Sequence, residues 1–418
     1  MDISFFDKVS VLARILEKSD FGLMALVIFV LGVLNLFMDM GLSTAILHKQ
    51  DITRRQFSSL YWLNVIFSIA LYGLIYGASP LIGAYFDQTA LPELLKIMGI
   101  AIIFSALGRQ HKTVAQKELK FKEIAIVESL SAIFVLIVAL ILAYKGFGVY
   151  SLVWSTLLQY LIVNVYFFFK GISRAKISFY MSFNESLPFL KIGGYQVGGQ
   201  VLNYFSRDVD VLIVGKIFGS EVLGSYSLAK QLVYRPVQIL NPILTKVASP
   251  LLAKVQKSKE GLISNYLKLV NFVSTINVFV YLLIIIFANL IVYVLYGPEF
   301  DHIVFHVRVL SVYMIIRAVG NPVGSLVVAT GRTDLEFYWN FIVLLVIPIA
   351  VYTGSFWGIE GVVLSILIFR ALLFYPSWRL LIWKMLGVSF SEYCKSLIPN
   401  YKYCIYLLKQ EVLRKKTR

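Results

Sequence analysis

Between Lys268 and Glu299 the chain runs for 30 residues, 269–298, without one charged side chain. About 20 apolar residues suffice for a helix to cross the hydrocarbon core of a bilayer. Residues 146–169 and 337–359 give two further charge-free runs, of 24 and 23 residues. Inside lipid every backbone N–H and C=O must find its partner within the protein, so only helices and closed barrels cross. A barrel reads as short alternating segments, whereas these runs are continuous. The expected fold class is therefore all-α, a polytopic membrane protein. Only 15% of residues are charged and 59% are hydrophobic, against roughly 25% charged in soluble domains.

Apolar segments are expected at 3–16, 21–47, 57–85, 94–107, 124–144, 149–169, 187–216, 223–252, 262–295, 303–329, 335–352 and 361–386. That makes about twelve helices, the first too short to span unaided. The chain opens without a small-residue cleavage site, so its N-terminus is taken as part of the first helix. Alternate loops carry Lys and Arg: three at 49–55, five at 109–122, three at 170–176, four at 246–259 and one at Arg332, with nine more from Arg379 onward. The intervening loops carry only Lys18, Lys96, Lys145 and Lys216. This asymmetry puts the basic loops and both ends on the cytoplasmic side. It also explains the net charge of +16 without invoking nucleic acid. Cys394 and Cys404 form neither a disulfide framework nor a metal motif.

The two halves echo each other. Ser19-Asp20-Phe21-Gly22 matches Ser220-Glu221-Val222-Leu223-Gly224. Leu119-Lys120-Phe121 matches Leu335-Glu336-Phe337, and the segment at 147–152 matches that at 357–362. Six helices per repeat is an even number, so both halves keep one orientation. The expected organisation is an N-terminal six-helix lobe at 1–176, a C-terminal six-helix lobe at 177–386, and a basic cytoplasmic tail at 387–418. The two lobes would enclose a central cavity.

Charge at membrane depth is costly and normally faces a protein interior or a water-filled cavity. Arg207, Lys230, Arg235, Arg317 and Arg370 fall near mid-depth in the second half and are candidate binding cations for an anionic cargo. Lys191, Lys268 and Arg308 lie nearer helix ends, where snorkelling explains them. Arg207 and Asp210 are three apart, so a local ion pair is their structural reading. In the first half, Asp39, Asn64 and Glu128 carry the polar content. Asp39, Glu128 and Asp210 are candidate ion-coupling carboxylates, with Glu128 equally readable as the partner of a cation. Pro236, Pro242, Pro322 and Pro348 are expected inside helices, as kinks.

Two enzyme-like patterns carry little. Asp208-Val209-Asp210 has the spacing of a metal-binding DxD but lies in an apolar helix with no soluble domain for a nucleotide sugar. His302 and His306 lie four apart, a metal-compatible spacing without a further clear ligand. The chain has no P-loop, and nothing calls for a catalytic residue, a metal or another cofactor.

Around residues 206–250, Arg207, Asp210, Gly215, Leu223-Gly224, Tyr226, Ala229, Arg235-Pro236 and Pro250 resemble the polysaccharide transporter family of the multidrug/oligosaccharidyl-lipid/polysaccharide exporter superfamily. Ala13-Arg14, the segment at 21–25, Asp39 and Gly41-Leu42 resemble its first two helices. The resemblance implies a flippase, not an enzyme, that moves undecaprenyl-diphosphate-linked oligosaccharide across the inner membrane for O-antigen, capsule or exopolysaccharide assembly. It implies membrane lipids as surroundings, with a polysaccharide polymerase and glycosyltransferases as candidate partners. Its first helix normally begins upstream, so a shortened first helix is expected here. Members of this branch often carry two more helices after the twelfth, of which only 401–408 would remain. The alternatives are a multidrug extruder of the same superfamily, which would favour acidic cavity residues, and a membrane glycosyltransferase or polymerase, which would need a large hydrophilic loop.

Overall fold

The computed structural model describes residues 9–43, 46, 52–175, 177–255 and 258–400. Every regular element among them is helical. Unit 1, Met1–Ser227, holds α1 (Lys18–Asp39), α2 (Arg54–Phe86), α3 (Leu91–Lys117), α4 (Phe121–Tyr144), α5 (Val149–Ala175) and the first part of α6 (Phe183–Lys254). Unit 2, Leu228–Arg418, holds the rest of α6, then α7 (Lys259–Ile286), α8 (Ala288–Tyr296), α9 (Val304–Ala318), α10 (Pro322–Thr330), α11 (Thr333–Ser355), α12 (Gly358–Leu372), α13 (Phe374–Leu386) and α14 (Phe390–Leu397).

Nine helices among the described residues are long and apolar enough to cross a membrane. A tenth forms if α12 and α13, bent by 40° at their junction, count as one span. α6 is 72 residues long but is broken at Gly219, whose φ of 78° and ψ of −177° leave the helical region. Glycine takes that positive φ without the Cβ penalty other residues meet. The two arms of α6 correspond to the two helices expected at 187–216 and 223–252. Residues 3–8 of the first expected helix lie outside the described residues, as does the apolar patch at 401–408.

Helix ends follow local chemistry. Thr53 and Gln56 form a capping box that starts α2, and Ser258 accepts from the Gly261 amide at the start of α7. α1 ends at Met40, which enters the left-handed region with φ 46°. Pro322, expected inside a helix, instead opens α10, because the chain turns through Gly320 and Asn321 after α9. Its missing N–H costs nothing at a first helical turn.

Lateral packing puts small side chains inside and large ones outside. On α4, Ala132, Val135, Ala139 and Ala143 are buried, whereas Ile126, Leu130, Ile133, Phe134 and Ile137 are exposed. Lipid accepts that outward apolar face, and small residues let the helix backbones approach. α3 is the hub of unit 1, packed on α1, α2 and α5. In unit 2, α9 packs on α7 and α12, and α11 packs along α12.

Candidate functional site

Tyr234 organises the cations of unit 2. It lies on the second arm of α6, one turn after Lys230, so both share a helix face. The Lys230 ammonium sits 5.5 Å from the Tyr234 ring centre, and the Arg317 guanidinium of α9 sits 4.9 Å from it. Lys230 is only 7% exposed. Arg370 of α12 lies within electrostatic reach of Tyr234, Tyr313 and Arg317. Among the described residues no carboxylate comes within ion-pair distance of Arg370. Two of the five expected cations, Lys230 and Arg317, therefore stand over one aromatic ring, with Arg370 within electrostatic reach. A cation over a ring face is held by the ring quadrupole, which orients it without neutralising it.

Tyrosines frame the cluster. Tyr281 of α7 donates to the Val233 carbonyl at 3.0 Å, and Tyr296 of α8 donates to the Leu228 carbonyl at 3.3 Å. Both rings are fully buried. These bonds fix the α6 arm that carries Lys230 and Tyr234. Arg235, one residue on, points to a different face and meets Gln238 at 3.4 Å.

Arg207 belongs to unit 1. Its guanidinium pairs with the adjacent Asp208 at 2.7 Å and lies 5.2 Å from the Tyr204 ring centre. Asp210, three residues on, accepts from the Tyr226 hydroxyl. The two carboxylates of the DxD thus turn to different partners. Their spacing of two places them about 200° apart around a helix.

Unit 1 contains a cavity of about 670 Å³, lined by α1, α3, α4, α5 and the first arm of α6. Asp39 and Glu128 line it, each beside a cation of the basic stretch 109–122. Arg109 approaches Asp39 at 3.5 Å and donates to the Asn35 side chain at 2.9 Å. Lys112 pairs with Glu128. The basic stretch 109–122 was expected to be a cytoplasmic loop, yet α3 continues through Lys117. Charge density suggested a loop, but helix propensity allows Arg, Lys and Gln in helices freely. The signal that could have found these residues is their spacing: Arg109, Lys112, Thr113 and Gln116 recur at three and four, one face of a helix. Asn64, the remaining polar candidate of this half, is buried and donates to the Met38 carbonyl at 2.6 Å, a packing role.

Comparison with known proteins bears on this geometry. The model of a family described as "Polysaccharide biosynthesis protein" matches residues 11–305. The chain belongs to this family. It is 30% identical over 402 residues to the lipopolysaccharide biosynthesis protein WzxC of Escherichia coli (strain K12), covering 94% of this chain and 80% of that protein. It is 28% identical to the teichuronic acid biosynthesis protein TuaB of Bacillus subtilis (strain 168), covering 88% of this chain and 76% of that one. Among solved structures, the lipid II flippase MurJ in an inward closed conformation superposes with a TM-score of 0.75 at 18% identity, covering 94% of this chain and 88% of that one. At that identity the likeness shows the fold. This family member is an all-helical, multi-pass membrane protein, and a transporter rather than an enzyme.

Proposed function

We propose that this chain flips a lipid-linked oligosaccharide across the bacterial cytoplasmic membrane during surface polysaccharide assembly, and that it recognises the undecaprenyl diphosphate joining lipid to sugar. The observation that carries this reading is the Lys230–Arg317–Arg370 cluster around Tyr234. A diphosphate presents several anionic oxygens, and arginine forks bind such groups through paired N–H donors. Arg370, with no carboxylate of the described residues within ion-pair distance, can meet an incoming anion directly. A pocket for cationic drugs would invert that sign. The relatives' names agree in kind: WzxC and TuaB serve lipopolysaccharide and teichuronic acid biosynthesis, and MurJ flips lipid II.

In this reading, lobes at 1–176 and 177–386 rock against each other, driven by an ion gradient, the membrane potential or the cargo's own gradient. Asp39, Glu128 and Asp210 are the carboxylates available to couple an ion. Arg207 and Arg235 act as accessory cations. Glycosyltransferases supply the cargo, and a polymerase consumes it.

Reconstituted vesicles containing the chain and a fluorescent undecaprenyl-diphosphate oligosaccharide test the reading, with outer-leaflet quenching as the measure of flipping. Loss of one charge-assisted hydrogen bond costs about 1.5–3 kcal/mol, roughly ten- to a hundredfold in rate. Arg317→Gln and Arg370→Gln should each fall by that factor while inserting normally. Wild-type flipping in both variants would reject the cluster as the diphosphate site.

A further inference from the structure

The unit 1 cavity differs from the unit 2 cluster in charge. Its lining holds two cations, Arg109 and Lys112, and two carboxylates, Asp39 and Glu128, so it carries no net charge. The four are matched in pairs. A site selected for an anion has no use for carboxylates locked onto its cations.

What the cavity does offer is amide. Gln116 from α3, Gln159 from α5 and Gln200 from the first arm of α6 all line it. None of the three side chains hydrogen-bonds to any described residue. All are partly buried rather than splayed on the surface. Each carboxamide presents two donors and an acceptor with two lone pairs. Three helices therefore deliver unspent, neutral donor–acceptor groups to one concavity. Tyr160, also in the lining, adds an aromatic ring. A volume of about 670 Å³ falls inside the roughly 300–1,000 Å³ of small-molecule sites.

From this we infer that the unit 1 cavity is a saccharide subsite, in which Gln116, Gln159 and Gln200 hydrogen-bond sugar hydroxyls. Hydroxyls both donate and accept, and a carboxamide can answer either. The matched ion pairs supply further fixed donors and acceptors without drawing in a free anion. This deepens the flippase reading and rests on it: the sugar of the flipped cargo is what the unit 1 cavity would hold.

The test uses the full chain in nanodiscs and two probes: lipid-linked oligosaccharide extracted from the source cells, and undecaprenyl diphosphate without sugar. The ratio of their affinities measures what the sugar adds. In the wild type the sugar-bearing probe should bind at least tenfold tighter. In Gln116→Leu/Gln159→Leu/Gln200→Leu that advantage should vanish, with undecaprenyl diphosphate affinity unchanged. Gln200→Leu alone, with an expected loss of several-fold, serves if the triple variant unfolds early in a thermal scan. The inference is overturned if the variants keep the sugar advantage, or lose affinity for both probes equally. Equal wild-type affinity for the two probes would reject the subsite and leave the flippase standing. Wild-type binding of neither probe would reject the flippase reading itself.

Discussion

At the residue scale, the ion pairs of unit 1 decide how costly single changes are. Lys112 and Glu128 are both half-buried, with side chains 29% and 21% exposed. Removing one partner strands the other charge in a partly desolvated cavity, whereas removing both leaves no orphan. The double variant Lys112→Met/Glu128→Leu should therefore be more stable than the sum of the single changes predicts. Because the cavity admits water, the coupling should be modest, about 1 kcal/mol. A double-mutant cycle on thermal unfolding measures it, and strict additivity would show the pair to be energetically idle. Among the cations, depth in sequence proved a coarse guide. Lys230 and Arg317 share the Tyr234 ring, whereas Arg207 is 41% exposed beside Asp208. Arg207→Gln should accordingly reduce flipping less than Arg317→Gln does in the same vesicle assay.

At the element scale, the sequence repeat acquires a physical meaning. A Cβ on Gly22 would overlap the Ser220 carbonyl, and a Cβ on Gly224 would overlap the Lys18 carbonyl. Each glycine thus meets the carbonyl four residues before its counterpart. The contact is reciprocal, as expected when repeat-related helices cross at equivalent positions. Only glycine allows two helix backbones this close. Gly22→Val or Gly224→Val must push α1 and the second arm of α6 apart, and either should cost about 2–3 kcal/mol by overpacking. Thermal unfolding in nanodiscs checks this, and a wild-type midpoint in both variants would contradict the crossing. The end of the described chain is also built in. Asn271 of α7 donates to the Ser396 and Ile398 carbonyls, Ser274 donates to the Leu397 carbonyl, and the Asn400 amide donates to Thr275. Residues 387–400, read in sequence as the start of a basic tail, are docked on unit 2. Burial pushes the Tyr393 phenol well above its usual range, with Arg370 lowering it slightly.

At the scale of the whole molecule, orientation is the prediction the loops make. A cysteine placed at Lys122 in a background lacking Cys394 and Cys404 should label with a membrane-impermeant reagent only from the cytoplasmic face. A cysteine at Lys145 should label only from the other face. Reversed labelling would overturn the charge-based topology. The class of molecule was legible in the sequence because its cause is local. Lipid forces long apolar helices, and runs such as 269–298 declare them without any tertiary information. The charge-based orientation rests on an equally local property, since lysine and arginine counts belong to each loop. The limits of individual helices were less so: 109–117 reads as loop by charge and folds as helix, because a helix facing a polar cavity carries charge as readily as a loop does. The repeat was visible as matching letters, but its reciprocal glycine contact needed backbones in three dimensions. The candidate sites were the least legible. Lys230, Arg317 and Arg370 stand out one at a time as charges in apolar helices. That Lys230 and Arg317 share Tyr234, with Arg370 within electrostatic reach, depends on how α6, α9 and α12 pack. Gln116, Gln159 and Gln200 gave no signal, because a neutral amide in a helix costs little and becomes notable only when its neighbours leave it without a partner. Sequence thus determined that the chain must be a bundle of membrane helices with cations to spare. Tertiary structure alone decided which charges stand beside one another, as Arg109 does beside Asp39 and Lys112 beside Glu128, because pairing depends on distances between helices far apart in sequence.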